Sequence, residues 1–342
     1  MDVVVIGAGI SGLAVADSVH RSGLSVVVLE ARDRTGGRLF GSPLDLGASW
    51  FWDGEVRVRA LVEHLGVKTF PQHIAGDAMI DEVNGVQQYP GNPIDAPAHR
   101  FVSGSVSLAQ ALTRELPEGV IQLGHPVDSI SDHIVVTANG ESWQGKQVVI
   151  AVPPALAAKT IRMPNTLPAN VIDIARSTPV WMGDTIKVVA MYDKPFWRDQ
   201  GLAGAAISRV GPLHEVHDLS GPEGSPAALF GFARSKPDSD ISQVVVLAQL
   251  GRIFGDRAAA PQELLIQDWG HELWTNPAEN SDNRGKFAPN YGLFGHPVYQ
   301  RSYLNDRLYW SSTETASNYA GHIEGALEAA ERTLAAIKVS II

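Results

Sequence analysis

The chain has 342 residues, 44% of them hydrophobic and 19% charged. That balance excludes wholesale disorder, and the length suits roughly two domains. Its net charge of −10 comes with no basic run, which argues against nucleic acid or an anionic membrane as a standing partner. The absence of cysteine rules out disulfides, thiolate metal sites, a thiol nucleophile and a cysteinyl-linked cofactor.

Val3 to Ile6 is a short apolar run with β-branched bias, expected as a strand. No leader pattern precedes it, and no run approaches the ~18 apolar residues of a membrane span, so the expected location is the cytosol. After the cluster Gly7-Ala8-Gly9-Ile10-Ser11-Gly12, the spacing of Leu13, Ala16 and Val19 predicts a helix, with Gly23 as its stop. Val26 to Leu29 reads as a second buried strand, ending in Glu30. Strands alternating with helices predict a parallel sheet.

Residues 56–65 read as a helix, and 73–104 as a turn-rich insertion with strand pieces at Ala78–Ile80 and Val86–Tyr89. A helix over Leu108–Leu116 and strands at Ile121–Leu123 and His133–Thr137 follow, with a hairpin turn at Asn139-Gly140. Val148 to Val152 reads as a strand ended by Pro153-Pro154, and 185–191 as a strand of a second sheet. Residues 241–254 suit a strand by propensity and a helix by the spacing of Ile241, Val245, Ala248, Leu250 and Ile253. Residues 276–290 read as a polar loop, and the chain is expected to close with an amphipathic helix over 321–338.

Gly7, Gly9 and Gly12 form a G-x-G-x-x-G pattern between strand and helix, with acidic Glu30 at the end of the next strand. Gly7 permits the tight turn, Gly9 a close backbone approach to a pyrophosphate, and Gly12 close helix–strand packing. The helix N-terminus offers N–H groups and a positive dipole end to phosphate, while Glu30 suits ribose hydroxyls. The pattern alone leaves NAD and FAD open. The following Ala31-Arg32-Asp33-Arg34-Thr35-Gly36-Gly37-Arg38-Leu39 supplies further glycines and arginines, which suit a long, doubly charged cofactor.

Val3–Leu39 resembles the N-terminus of the flavin-containing amine oxidase family, which includes monoamine and polyamine oxidases. Leu44-Asp45-Leu46-Gly47-Ala48-Ser49-Trp50, the stretch from Phe101 through Pro126-Val127, Val148–Pro154, Gly183–Lys187, Lys194–Arg198 and Ser312–Ala326 resemble further family segments in order. The resemblance implies an α/β fold: a discontinuous Rossmann-like FAD-binding domain (1–72, 102–176 and 278–342) and an α+β substrate domain (73–101 and 177–277) with a mixed or antiparallel sheet. It implies hydride transfer from a carbon beside nitrogen to FAD and reoxidation by O₂ to hydrogen peroxide, with a small amine as substrate. FAD is expected to be noncovalent.

The positions matched to FAD are Gly7, Gly9, Ile10, Ser11 and Gly12; Glu30, Ala31 and Arg32; Gly36, Gly37, Arg38 and Leu39; and Gly47, Ala48 and Ser49. Val127, Trp269, Thr313, Glu314, Gly321, His322 and Ile323 complete the set, with the Val127 backbone expected at the adenine. Lys187 matches the family lysine that holds a water near the flavin; read from the residues alone, it is equally a strand-edge lysine. Trp269, Tyr319 and His322 are the substrate-binding candidates, with Tyr319 and His322 expected on one helical face. His322 stands where relatives place an aromatic of the substrate cage, and Asp282-Asn283-Arg284-Gly285-Lys286 carries no aromatic where the second wall would stand. Between Gly76 and Arg100 the helical roof of relatives is missing, which marks a short member. No histidine shows metal-ligand spacing, and a homo-oligomer is left open. Two other readings stay open: a dehydrogenase, desaturase or renalase-like oxidase of a reduced nicotinamide-like compound, and a non-catalytic FAD-binding redox sensor or scaffold.

Overall fold

The computed structural model describes residues 1–131, 135–235, 241–276 and 291–341. A five-stranded parallel sheet has the order Leu308–Trp310, Gln147–Ile150, Val3–Ile6, Val26–Leu29, Ile121–Gln122. The Val3, Val26 and Gln147 strands are buried along their whole length, which explains their near-continuous apolar runs. The helices Ile10–Arg21, Val106–Glu115 and Ile323–Ile341 cover one face through Leu13, Val19, Leu108 and Leu327. The helices Pro154–Thr160 and Ala169–Ser177 contribute Ala157 and Val171 to the cluster on the other.

The second sheet has seven strands in the order Glu263–Asp268, Thr185–Tyr192, Ala227–Arg234, Glu215–Asp218, Leu202–Ser208, Asp77–Glu82, Gly85–Tyr89. It is mixed, with one parallel pair between Leu202–Ser208 and Asp77–Glu82. The turn-rich insertion therefore supplies an edge hairpin to this sheet. Residues 243–254 are helical: Val246, Leu250, Ile253 and Phe254 pack on the sheet while Val244 is exposed. Spacing outweighs the β propensity of the valines because the sheet offers an apolar face to one stripe only. Val127–Ile130, Val135–Ala138 and Glu141–Gln144 form a small antiparallel sheet, turned at Asn139 (φ 50°) and Gly140 (φ 81°).

Two boundaries differ from expectation. The strand expected over Val148–Val152 is Gln147–Ile150, and Pro153-Pro154 opens a helix, where a missing N–H costs nothing. The last helix runs Ile323–Ile341, so Tyr319 and His322 precede it. Tyr319 has φ 51° in a turn, and the expected shared helical face does not exist. The first part of the expected strand at His133 and the loop 277–290, with Asp282–Lys286, lie outside the described residues. Among the described residues no helix is long and apolar enough to cross a membrane.

Candidate active site

The carboxyl ends of the parallel strands converge on a cavity of about 760 Å³, also lined by Thr185, Lys187 and Phe232 of the large sheet. Clefts at the carboxyl ends of open parallel sheets are where ligands bind in such folds. Gly7, Gly9, Ile10 and Ser11 follow the Val3 strand into it, and Glu30, Ala31 and Arg32 follow the Val26 strand. Gly36, Gly37, Arg38, Leu39, Gly47, Ala48, Ser49, Val127, Trp269, Thr313, Gly321, His322 and Ile323 line it as well. Gly12, Glu314 and Tyr319 do not.

Gly12 lies behind the cavity, where an added Cβ would sit 2.0 Å from the Gly7 carbonyl oxygen. This is the close helix–strand approach that the pattern requires. At Gly9 an added Cβ would meet nothing within 4 Å, so the backbone faces open cavity. The helix Ile10–Arg21 begins with no side-chain cap and no acidic residue in its first turn, which leaves its N–H groups and positive dipole end to a ligand. Buried Glu30 accepts from Ala8 N (2.7 Å) and Arg32 N (2.9 Å), which fixes its carboxylate while leaving lone pairs for hydroxyls. Arg32 Nε is buried without a partner at the same end. An open glycine cradle, an uncapped helix N-terminus, a fixed carboxylate and an orphaned guanidinium N–H together fit a dinucleotide such as FAD.

Glu314 is fully buried and acts from behind. It takes a forked pair of hydrogen bonds from Arg38 (2.7 and 3.2 Å) and one from Trp181 N (3.2 Å), holding both residues at the cavity wall. Thr313 Oγ1 accepts from Gly321 N (2.7 Å) and donates to the His322 carbonyl (2.8 Å), tying down the turn before the last helix. Gly321 (φ 94°) has to be glycine: a Cβ there would sit 2.5 Å from the Trp181 indole.

Lys187 lies on an interior strand, paired on both sides, and is 1% exposed, so it is not a strand-edge lysine. Thr185, Lys187 and Val189 share the face opposite Ile186, Val188 and Ala190, as strand alternation demands. Lys187 Nζ donates to Ser49 Oγ (2.6 Å) and Gly47 O (3.0 Å) and lies 4.2 Å from the Phe230 ring centre. Burial pushes its pKa below the ordinary lysine range, opposed by the nearby Asp45 carboxylate. Burial likewise raises Asp45, which accepts from Ser105 N (2.6 Å).

Trp269 is buried at the cavity wall, with Nε1 donating to Leu46 O (3.0 Å). Around His322 stand Trp52 (ring centres 5.2 Å apart), Trp181 (6.3 Å) and the exposed Tyr319 (6.2 Å). His322 Nδ1 lies 2.6 Å from Oε1 of buried Glu55. Sequence reasoning missed Trp52, Trp181 and Glu55. Trp52 lies two residues beyond Leu44–Trp50, and Trp181 two before Gly183–Lys187; Glu55, 267 positions from its partner, carried no signal. Farther along, Glu215 and His214 line the cavity, and His217 hydrogen-bonds Asp95 (2.6 Å) with Glu215 3.5 Å from its other nitrogen.

Comparison with known proteins places this geometry. The family model described as flavin containing amine oxidoreductase matches residues 10–105 and 99–337. The probable flavin-containing monoamine oxidase A of Dictyostelium discoideum is 25% identical, with 100% of this chain and 98% of that protein covered. The 342 residues here spread over 457 aligned positions in that match. Flavin-containing amine oxidase B of Homo sapiens is 26% identical, covering 97% and 85%. The putrescine oxidase of Kocuria rosea is 24% identical, covering 95% and 92%. Among solved structures, a putrescine oxidase bound to putrescine superimposes with a TM-score of 0.85 at 22% identity, covering 99% of both chains. Cyclohexylamine oxidase from Brevibacterium oxydans IH-35A gives 0.83 at 20% identity, also covering 99% of both.

Proposed function

Because the chain belongs to the flavin-containing amine oxidoreductase family, we propose that its cavity binds FAD noncovalently and oxidises a small amine with O₂ as electron acceptor. The observation that carries this reading is Lys187, a buried lysine presented to the cavity beside the backbone of Gly47. When bound, FAD supplies the acceptor for hydride from the carbon beside nitrogen and the route for electrons to O₂, leaving hydrogen peroxide.

The chain's own residues do the rest. The N–H groups after Gly9 and the helix dipole would hold the pyrophosphate, and Glu30 would accept from ribose hydroxyls. Arg38, steadied by Glu314, brings a fixed cation to the wall. Lys187, anchored by Ser49 and Gly47, is placed to hold a water in the cavity. Burial loosens its hold on its proton, which suits a group that must hand a proton over. Trp52, Trp181 and His322 form the walls that desolvate and orient the amine, the place assigned in the sequence to Tyr319 and His322. The domain division at 72, 101, 176 and 277 belongs to the same reading. It is supported by the strands: the parallel sheet draws all of its strands from the first set of segments, and the seven-stranded sheet from the second.

The test is product analysis on the FAD-loaded enzyme with a panel of monoamines, diamines and cyclic amines. Peroxide formed together with ammonia or a released amine is the expected result. Peroxide without either, or turnover only with dihydronicotinamides, would overturn the amine reading.

A further inference from the structure

Glu55 immediately precedes the helix Val56–Leu65, and His322 immediately precedes the helix Ile323–Ile341. The two helix starts are stitched together twice. Glu55 Oε1 meets His322 Nδ1 at 2.6 Å, and Glu324 of the second helix accepts from Arg57 N (2.9 Å) and Val58 N (3.0 Å) of the first. Glu55 is 1% exposed, and its other oxygen accepts from Trp52 N (3.2 Å). Such a carboxylate is acceptor-only, so in the neutral ring the hydrogen of His322 sits on Nδ1. That leaves Nε2 with no partner among the described residues, on a ring that lines the cavity between Trp52 and Trp181.

We infer that His322 is the base that takes a proton from the incoming substrate, with Glu55 as its positioning residue; this rests on the amine reading above. An alkylammonium is protonated in neutral water, as a lysine side chain is at about 10.4, yet only a neutral amine has the lone pair that assists loss of hydride from its carbon. Entry beside the Trp52 and Trp181 indoles favours the neutral form by desolvation. The step is a proton transfer: one N–H bond of the ammonium breaks and an Nε2–H bond forms. The result is neutral amine and an imidazolium whose charge the buried Glu55 carboxylate offsets. The His322 side chain is 33% exposed, so the proton can leave to solvent. The other titratable groups around it are Tyr319 on its own turn, the Arg57–Glu324 pair of the two helix starts, Lys187 on the same cavity's wall, and the Arg38–Glu314 pair behind Trp181.

Two measurements on the holoenzyme test this. The first is the ¹⁵N spectrum of histidine-labelled protein: the neutral ring of His322 should show hydrogen on Nδ1 and a bare Nε2, a preference that Glu55→Ala abolishes. Hydrogen on Nε2 in the wild type overturns the assignment. The second is the pH profile of anaerobic flavin reduction by an amine. His322→Phe keeps an aromatic wall but no base; its rate should fall by about tenfold or more near pH 7 and approach wild type at alkaline pH, where free amine is abundant. Glu55→Gln, which retains an acceptor without the charge, should fall between them. An equal loss at every pH, or no loss, in His322→Phe overturns the inference while leaving the amine reading intact. A wild-type flavin that no amine reduces overturns that reading and this step with it.

Discussion

The two ends of the cavity are built from different material. At the parallel sheet the wall is backbone: glycine turns, an uncapped helix start and one fixed carboxylate within a span of some thirty residues. At the seven-stranded sheet and the start of the last helix the wall is side chain: Lys187, Trp52, Trp181 and His322, with Glu55 behind His322, converge from segments far apart in sequence. A backbone site tolerates many surroundings but no added atom at its glycines. A side-chain site can be re-equipped residue by residue, as a family with one cofactor and many amines requires.

The comparison breaks most readily at Gly12. Gly12→Val would force a Cβ to 2.0 Å from the Gly7 carbonyl. Overpacking of that kind costs ~3 kcal/mol or more, on the order of a hundredfold in FAD retention. The flavin-to-protein ratio after gel filtration should drop accordingly, and a fully yellow variant would show that the turn is not the cofactor cradle. Comparable in size is Glu314→Ala, which strands Arg38 without its buried partner. Losing one member of such a pair costs ~3–5 kcal/mol. Urea unfolding should show that loss; a change below ~1 kcal/mol would place the pair among screened surface bridges.

Lys187→Met sharpens the contrast, because it leaves the backbone cradle alone. Flavin content should stay at the wild-type level while reduction by amine or reoxidation by O₂ slows by about tenfold, or ~1.4 kcal/mol in the barrier. Unchanged rates in both half-reactions would remove Lys187 from the mechanism.

The smallest effect is expected at His217. Burial opposes its charge, but the hydrogen bond to Asp95 and the nearby Glu215 carboxylate more than compensate, so its pKa is raised. A raised folded-state value means its contribution is complete below ~6.5, the unfolded value, and is lost as pH rises through the folded one. The urea midpoint should therefore decline over that window in wild type and decline less in His217→Gln. Parallel profiles would show that the Asp95–His217–Glu215 cluster does not hold the charge.

These expectations also show what the sequence could disclose. The cradle was legible because its physics is local: Gly7, Gly9, Gly12 and Glu30 act through turn, approach and packing at fixed spacing. Lys187 was legible as a residue, but its interior place in the sheet was not, since strand order is settled by partners far away in the chain. Residues 241–254 carried β propensity and helical spacing together until the sheet beneath chose the helix. Tyr319 and His322 were expected together on a helix; they meet at 6.2 Å, but across a turn with φ 51° that local spacing could not announce. The pairing of Glu55 with His322 left no trace in the sequence, because two helix starts meet only once the sheet has folded.

The central claim is tested most directly by mixing the FAD-loaded protein anaerobically with a panel of amines, diamines and dihydronicotinamides and following the flavin band near about 450 nm. The account predicts rapid bleaching by one class of amine, with peroxide appearing when air is admitted. Bleaching by dihydronicotinamides alone, or by none of the panel, would contradict it.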